Sequence, residues 1–270
     1  MKKNKSFFKK HWIDILVIAA FLALIGYLCY NIYVSFNFDK KINIFYNYFI
    51  VNGGYKRLIT GMQNTGIIAV LGLIIGIFIG TVIAIIKVMP SEGRISKYLK
   101  ALCTAYVSLF RGTPIVVQLL VGYFLLLPLM KTTMTPVNAC VCIFGLNSGA
   151  YISEIMRGGI QSVDRGQLEA ARAVGLPFSV SMIKVVVPQA VKNILPTLGN
   201  EFIALVKETA VVGYVGAIDI TNAFQYQGSN SYEYMIPYLV MALLYMVIVA
   251  IIAAGVKLME RKLARSERRN

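Results

Sequence analysis

The sequence predicts an all-α membrane protein of about six spanning helices, and three observations predict it. Hydrophobic residues make up 57% of the 270 residues and charged ones only 14%, whereas about a quarter of a soluble domain is charged. The mean hydropathy is +0.68, so too few polar groups remain to cover a surface that faces water on all sides. The 27 lysines and arginines sit in the gaps between long apolar runs. The net charge of +15 therefore forms no basic domain, and it is not read as nucleic-acid binding.

The first span is 13–33. Lys2, Lys3, Lys5, Lys9 and Lys10 precede it in the manner of a signal peptide. The run is nevertheless long enough to cross, and no small-residue cleavage site closes it, so it reads as a retained helix. Five further runs come at 58–88, 106–129, 136–156, 197–220 and 236–258. Each can cover the ~30 Å hydrocarbon core at about 1.5 Å per residue. Six crossings put both termini on one side. The segments sharing that side carry the N-terminal lysines, then Lys87, Arg94, Lys97 and Lys100, then Arg157, Arg165, Arg172, Lys184 and Lys192, and finally the basic C-terminal cluster. The opposite side has Lys40, Lys41, Lys56, Arg57 and Lys131. By the positive-inside rule both termini are expected in the cytoplasm.

Between the first two spans, 38–54 holds Phe45, Tyr46, Tyr48 and Phe49, which suits an external interfacial segment. In the second span Gly72, Gly76 and Gly80 repeat every four residues. Such small-residue stripes bring helix backbones together in lipid, and packing within the chain is favoured over a seam between two copies. Cys29, Cys103, Cys140 and Cys142 lie in or beside apolar runs with no metal-ligand company, so no metal site is expected.

Two spans carry polar groups that lipid does not accommodate. Asn147, Tyr151 and Glu154 fall at i, i+4 and i+7 on one helix face. They read either as a pathway lining for a charged or zwitterionic solute, with Glu154 its acidic contact, or as an internal network in which Arg157 pairs with Glu154. Glu201 and Glu208 also share a face, and Lys207 with Glu208 is expected near the middle of the fifth span. These groups could touch solute or tie helices at a gate.

The long loop expected at 157–195 is too polar for lipid yet organised. The run 167–174 is rich in helix formers, and Gly175 suits a C′ stop. Pro177 suits the first turn of a second helix towards Val187, with Pro188 and Pro196 punctuating the residues beyond it. Two short helices set about a glycine form an element that another protein could grip.

Here the sequence resembles a family. Glu169-Ala170-Ala171, then Gly175, then Leu195-Pro196 resemble the Glu-Ala-Ala loop of ATP-binding-cassette importer permeases. Arg111-Gly112-Thr113-Pro114 with Gln118, Arg157-Gly158-Gly159-Ile160 with Gly166-Gln167, Pro188-Gln189-Ala190 and Lys207-Glu208-Thr209 resemble its polar amino-acid branch. The similarity covers about 61–261.

The resemblance implies a five-helix type I importer core with one added N-terminal helix. The parts are then 1–57, a helix and external segment; 58–262, the core; and 263–270, a basic tail. Two permease subunits would form the pathway, two cytoplasmic ATPases would dock through Glu169, Ala170, Ala171 and Gly175, and an extracellular receptor would deliver a polar amino acid. No phosphate-binding G-x-x-x-x-G-K-[ST] loop occurs in the chain, and the sole histidine, His11, has no nucleophile or metal set around it. The chain is therefore not expected to be an enzyme or to bind a cofactor, ATP being hydrolysed on the partner. Two other classes stay open. A secondary transporter would show an internal repeat of spans with matching broken helices, and none is found. A membrane-anchored scaffold would leave the intramembrane charges without a task.

Overall fold

The computed structural model describes residues 2–35, 37–90 and 93–267. Residues 268–270, the end of the expected basic tail, and the His11 side chain lie outside the described residues. Among the described residues the main α-helices are, in order, α1 Lys2–Ser35, α2 Phe38–Tyr46, α3 Gly54–Val88, α4 Arg94–Gly112 and α5 Ile115–Val121, then α6 Pro136–Gln161, α7 Arg165–Ala173, α8 Val187–Glu208, α9 Ile220–Ser231 and α10 Met235–Glu267. Five described stretches are long and apolar enough to cross a membrane: Asp14–Asn31, Gly54–Val88, Pro136–Gln161, Phe178–Val215 and Met235–Leu263, and α4 with the α5 segment makes a bent sixth. The protein is a multi-pass membrane protein.

The centre of the bundle is the pairing of α3 with α6, which run parallel. A Cβ added at Gly76 would lie 2.8 Å from the Ser148 Cβ, and one at Gly80 would lie 2.8 Å from Ile152 Cγ2. In return Gly145 receives Ile75 and Gly149 receives Ile79, at 2.6 and 2.8 Å. The four-residue glycine stripe thus serves packing within the chain. Ile68, Leu119, Phe144, Leu205 and Val212 close the core where α3, α5, α6, α8 and the 3-10 stretch Thr209–Val215 after α8 meet. Gly76→Leu is expected to cost about 3 kcal/mol, because the facing atoms include the Gly149 backbone, which cannot move aside. Thermal melting of the purified variant checks this, and a wild-type midpoint would mean that the seam can open.

Several expected boundaries move. The span at 106–129 is not one helix: α4 and the α5 segment meet at 107°. Pro114 forces Thr113 into an extended conformation (φ −124°, ψ 144°), which ends α4 at Gly112. The loop expected at 157–195 is shorter than its polarity suggested. α6 runs to Gln161, and after α7 the second helix expected from Pro177 starts at Phe178 but continues past Val187, through Pro188 and Pro196, to Glu208. The fifth span is accordingly 178–215, not 197–220, and residues from 220 onward begin α9. The expected divisions at 57/58 and 262/263 fall inside α3 and α10. α3 starts after Gly53, at φ 75°, and Lys257, Arg261 and Lys262 suit the C-terminal part of a continuing helix.

Pro188 is accommodated because the turn before it is wide, whereas Pro196 lies inside α8 without such a turn. Met182–Val186 form a π turn, and Pro188 comes two residues later. The same arrangement occurs at Gly122–Leu126 before Pro128. A proline has no N–H to give the fourth carbonyl back, and its ring presses on that carbonyl. Widening the preceding turn relieves the contact. Gln189 Nε2 adds a donor to the Val185 carbonyl at 2.9 Å.

The segment expected at 38–54 to lie on the outer face packs partly on its own chain. Phe45 stacks on Phe49 with centroids 5.0 Å apart, and Phe49 stacks on Phe224 of α9 at 6.3 Å. Lys41 pairs with Glu233 at 3.1 Å. By contrast, no residue of the α1 stretch Asp14–Asn31 is buried in the chain.

Candidate functional site

The first site is the short helix α7. Asp164 caps it, its Oδ1 accepting the Gly166 N–H at 2.8 Å. At the other end Gly175 takes φ +91°, where a side chain would be strained although nothing lies within 4 Å of its Cβ position. Its N–H donates to the Arg172 carbonyl at 3.0 Å, and the Leu176 N–H reaches back to Ala171 at 3.2 Å. This pair of bonds is the Schellman stop, and Gly175 is its C′ residue, in the role read from the sequence. Glu169 and Ala170 are exposed, but Ala171 is buried at 8%. Ala171 therefore packs inward rather than joining the exposed face. Val174, 78% exposed, stands at the tip instead.

The second site is the elbow between α4 and α5. Bending the chain at Pro114 orphans the last carbonyls of α4. Thr113 Oγ1 donates to the Leu109 carbonyl at 2.8 Å. Gln118 Nε2 donates to the carbonyls of Phe110 and Thr113 at 2.8 and 2.9 Å and to Thr113 Oγ1 at 2.8 Å, its two hydrogens being shared among three acceptors. The Phe110 carbonyl is the one that residue 114 would have satisfied, had it not been proline. Asn147 on α6 then donates to Gln118 Oε1 at 2.9 Å and fixes the amide's orientation. The run Arg-Gly-Thr-Pro followed by Gln is therefore a self-satisfying helix break.

The third site is the polar face of α6 and α8. Each member of the Asn147, Tyr151 and Glu154 stripe has a partner in the same chain. Asn147 holds the Gln118 amide. The Arg111 guanidinium lies 5.4 Å from the Tyr151 ring centroid. Glu154 receives Lys87 Nζ on Oε1 at 2.8 Å and Arg157 Nη2 on Oε2 at 2.6 Å, so both oxygens are occupied. Glu201 accepts from Ser148 Oγ at 2.7 Å. Tyr151, Glu201 and Glu208 are half-buried, and Lys207 is exposed. Glu208 is the last residue of α8, so Lys207 and Glu208 stand towards its α9 end rather than at mid-span. Lys207 lines a cleft of about 660 Å³ with Thr221, Tyr245 and Met246.

Known proteins share this architecture. Residues 93–265 match the binding-protein-dependent transport system inner membrane component family. The chain belongs to this family. As a permease-family member it is 38% identical over 195 residues to a Rickettsia bellii protein provisionally named a glutamine transport system permease, covering 72% of this chain and 87% of that protein. It is also 38% identical over 206 residues to the arginine transport system permease protein ArtQ of Bacillus subtilis, covering 76% and 92%. A crystal structure described as an amino acid ABC transporter with histidines superposes with a TM-score of 0.71 at 38% identity, covering 77% of this permease chain and 94% of that one.

The permease's sequence did not disclose Lys87, Gln118 and Arg111 as partners of the polar stripe, or Ser148 as the partner of Glu201. Gln118 was visible as part of a motif. A proline four residues before a glutamine, at the foot of an apolar run, was the signal for its capping role. Lys87 carried no local signal, since its partner is 67 residues away.

Proposed function

We propose that the chain is the membrane-spanning subunit of an ATP-binding-cassette importer and forms, with a second permease subunit, the pathway for a polar amino acid. ATP is hydrolysed on separate ATPase subunits docked at α7, and an extracellular receptor delivers the solute. The observation that carries this reading is the capped, solvent-exposed helix α7 with its glycine stop, placed by the Glu-Ala-Ala motif in a chain whose relatives are named for glutamine and arginine transport. In this reading α7 and both termini are cytoplasmic, and α9 is external. Glu201 and Glu208, one face of α8 and half-buried, are better placed than Glu154 to receive a solute ammonium, because Glu154 has no free oxygen.

Reconstitution with a matching ATPase and receptor tests the function. ATP-dependent uptake of glutamine or arginine is expected; uptake driven by an ion gradient without ATP would mark a secondary transporter, and none under either condition would mark a scaffold. Single-cysteine labelling, after replacing the four native cysteines, tests the topology. A cysteine at Arg268 should be shielded from an impermeant external reagent and one at Asn230 should react. External labelling at Arg268 would show one crossing miscounted.

A further inference from the structure

We propose that Lys87 and Glu154 are positioning residues of the transport cycle, tying the α7 end of α3 to the α7 end of α6 so that movement of α7 is delivered to both helices together. This rests on the permease reading. The glycine seam that locks α3 to α6 ends at Gly80. Lys87 lies two turns further on, in the last turn of α3, where no glycine holds the helices together. There the Lys87–Glu154 bridge, 2.8 Å long with its side chains 19% and 18% exposed, makes the connection.

The contacts beyond the bridge give it a mechanical role. Arg157, which holds the second oxygen of Glu154, also donates through Nη1 to Gln161 Oε1 at 2.8 Å. Gln161 is the last residue of α6, three residues before the Asp164 cap of α7. The end of α6 is in turn fixed to α8, because Asn193 Nδ2 donates to Ser162 Oγ at 2.8 Å and Gly159 is pressed against Ile194. Between the end of α3 and α7, by contrast, is a cavity of about 420 Å³ lined by Val88, Gln161, Asp164, Leu168 and Phe178. α3 is thus separated from α7 by open space and joined to its mounting through the ion pair. A half-buried pair suits this task, since it is screened less than a surface pair yet can part without leaving a fully desolvated charge.

The test is the amount of amino acid transported per ATP hydrolysed, in the complete complex with its ATPase and receptor. Lys87→Met keeps the aliphatic stem and removes the tie. Glu154→Gln removes the charge from the other side. Each is expected to lower the ratio about tenfold, within the range by which residues along a coupling route act, with complex yield and ATP hydrolysis retained. The double variant should fall no further, because one link is lost in all three, and Lys87→Arg should restore the ratio. An unchanged ratio in both single variants overturns the proposal. So does a parallel loss of yield, hydrolysis and uptake, which would make the pair a fold contact only. Absence of ATP-driven uptake by the wild-type complex overturns the permease reading itself, and is seen before any variant is made.

Discussion

Glu169→Lys is expected to reduce ATPase co-purification and uptake by about a hundredfold while the membrane bundle melts as the wild type does. Glu169 is exposed on α7, so the bundle loses no internal contact. If the helix sits in a groove of the ATPase, a reversed charge meets whatever cation received the glutamate, and placing like charges across an interface costs several kcal/mol. Gly175 supplies a second probe of the same surface. At φ +91° any side chain strains the stop by about 1–2 kcal/mol, yet space for it is open. Gly175→Ala then carries the strain alone, and Gly175→Trp carries the same strain plus bulk at the exposed end of α7. Uptake by the tryptophan variant should fall far below that of the alanine variant. Equal uptake in the two, together with wild-type co-purification of Glu169→Lys, would remove α7 from the ATPase interface.

Gln118→Leu is the substitution expected to damage the fold most outside the glycine seam. It withdraws the donor from the Phe110 and Thr113 carbonyls and strands the Asn147 amide, at a place where lipid and packed side chains offer few replacements. Unsatisfied buried groups cost about 1–3 kcal/mol each, so a total of roughly 3 kcal/mol or more is expected. The measurement is thermal melting of the purified protein, with Asn147→Leu as the milder companion because it leaves the elbow's carbonyls capped. A Gln118→Leu protein as stable as the wild type would mean that water reaches the elbow.

Much of this was legible in the sequence where the physics is local. Apolar runs long enough to cross a bilayer marked the spans. Gly175 declared its C′ role because it comes after a run of helix formers and precedes Leu-Pro. The glycine stripe declared a close approach. What could not be read depends on groups far apart in the chain. The partners of Asn147, Tyr151 and Glu154 come from α3, α4 and α5 as well as from α6 itself, so the face they share said that lipid is avoided but not what replaces it. Polarity also misled beyond the second short helix, where Lys184, Gln189 and Lys192 suggested that it stops near Val187 instead of continuing into the fifth span. Their apolar neighbours Met182, Val186, Ala190 and Ile194 pack inward and carry the helix. Proline misled in both directions, breaking the chain at Pro114, where an unbroken span was expected, and sparing it at Pro188 and Pro196, where punctuation was expected.

The wide turn at Met182–Val186 has a consequence for phase. Buried positions along this stretch are Ser181, Val186, Ala190 and Ile194: one step of five residues, then steps of four. The extra residue is absorbed where the helix widens, so the inward faces before and after it line up. Removing one residue from 182–186 would restore an ordinary turn and rotate the part leading back to α7 by about 100° relative to Ala190 and Ile194. The hydrogen-bonded ladder would survive intact, but α7 would be presented in a different direction. The segment is a gearing of one residue between the membrane helix and α7, and its length sets their relative azimuth.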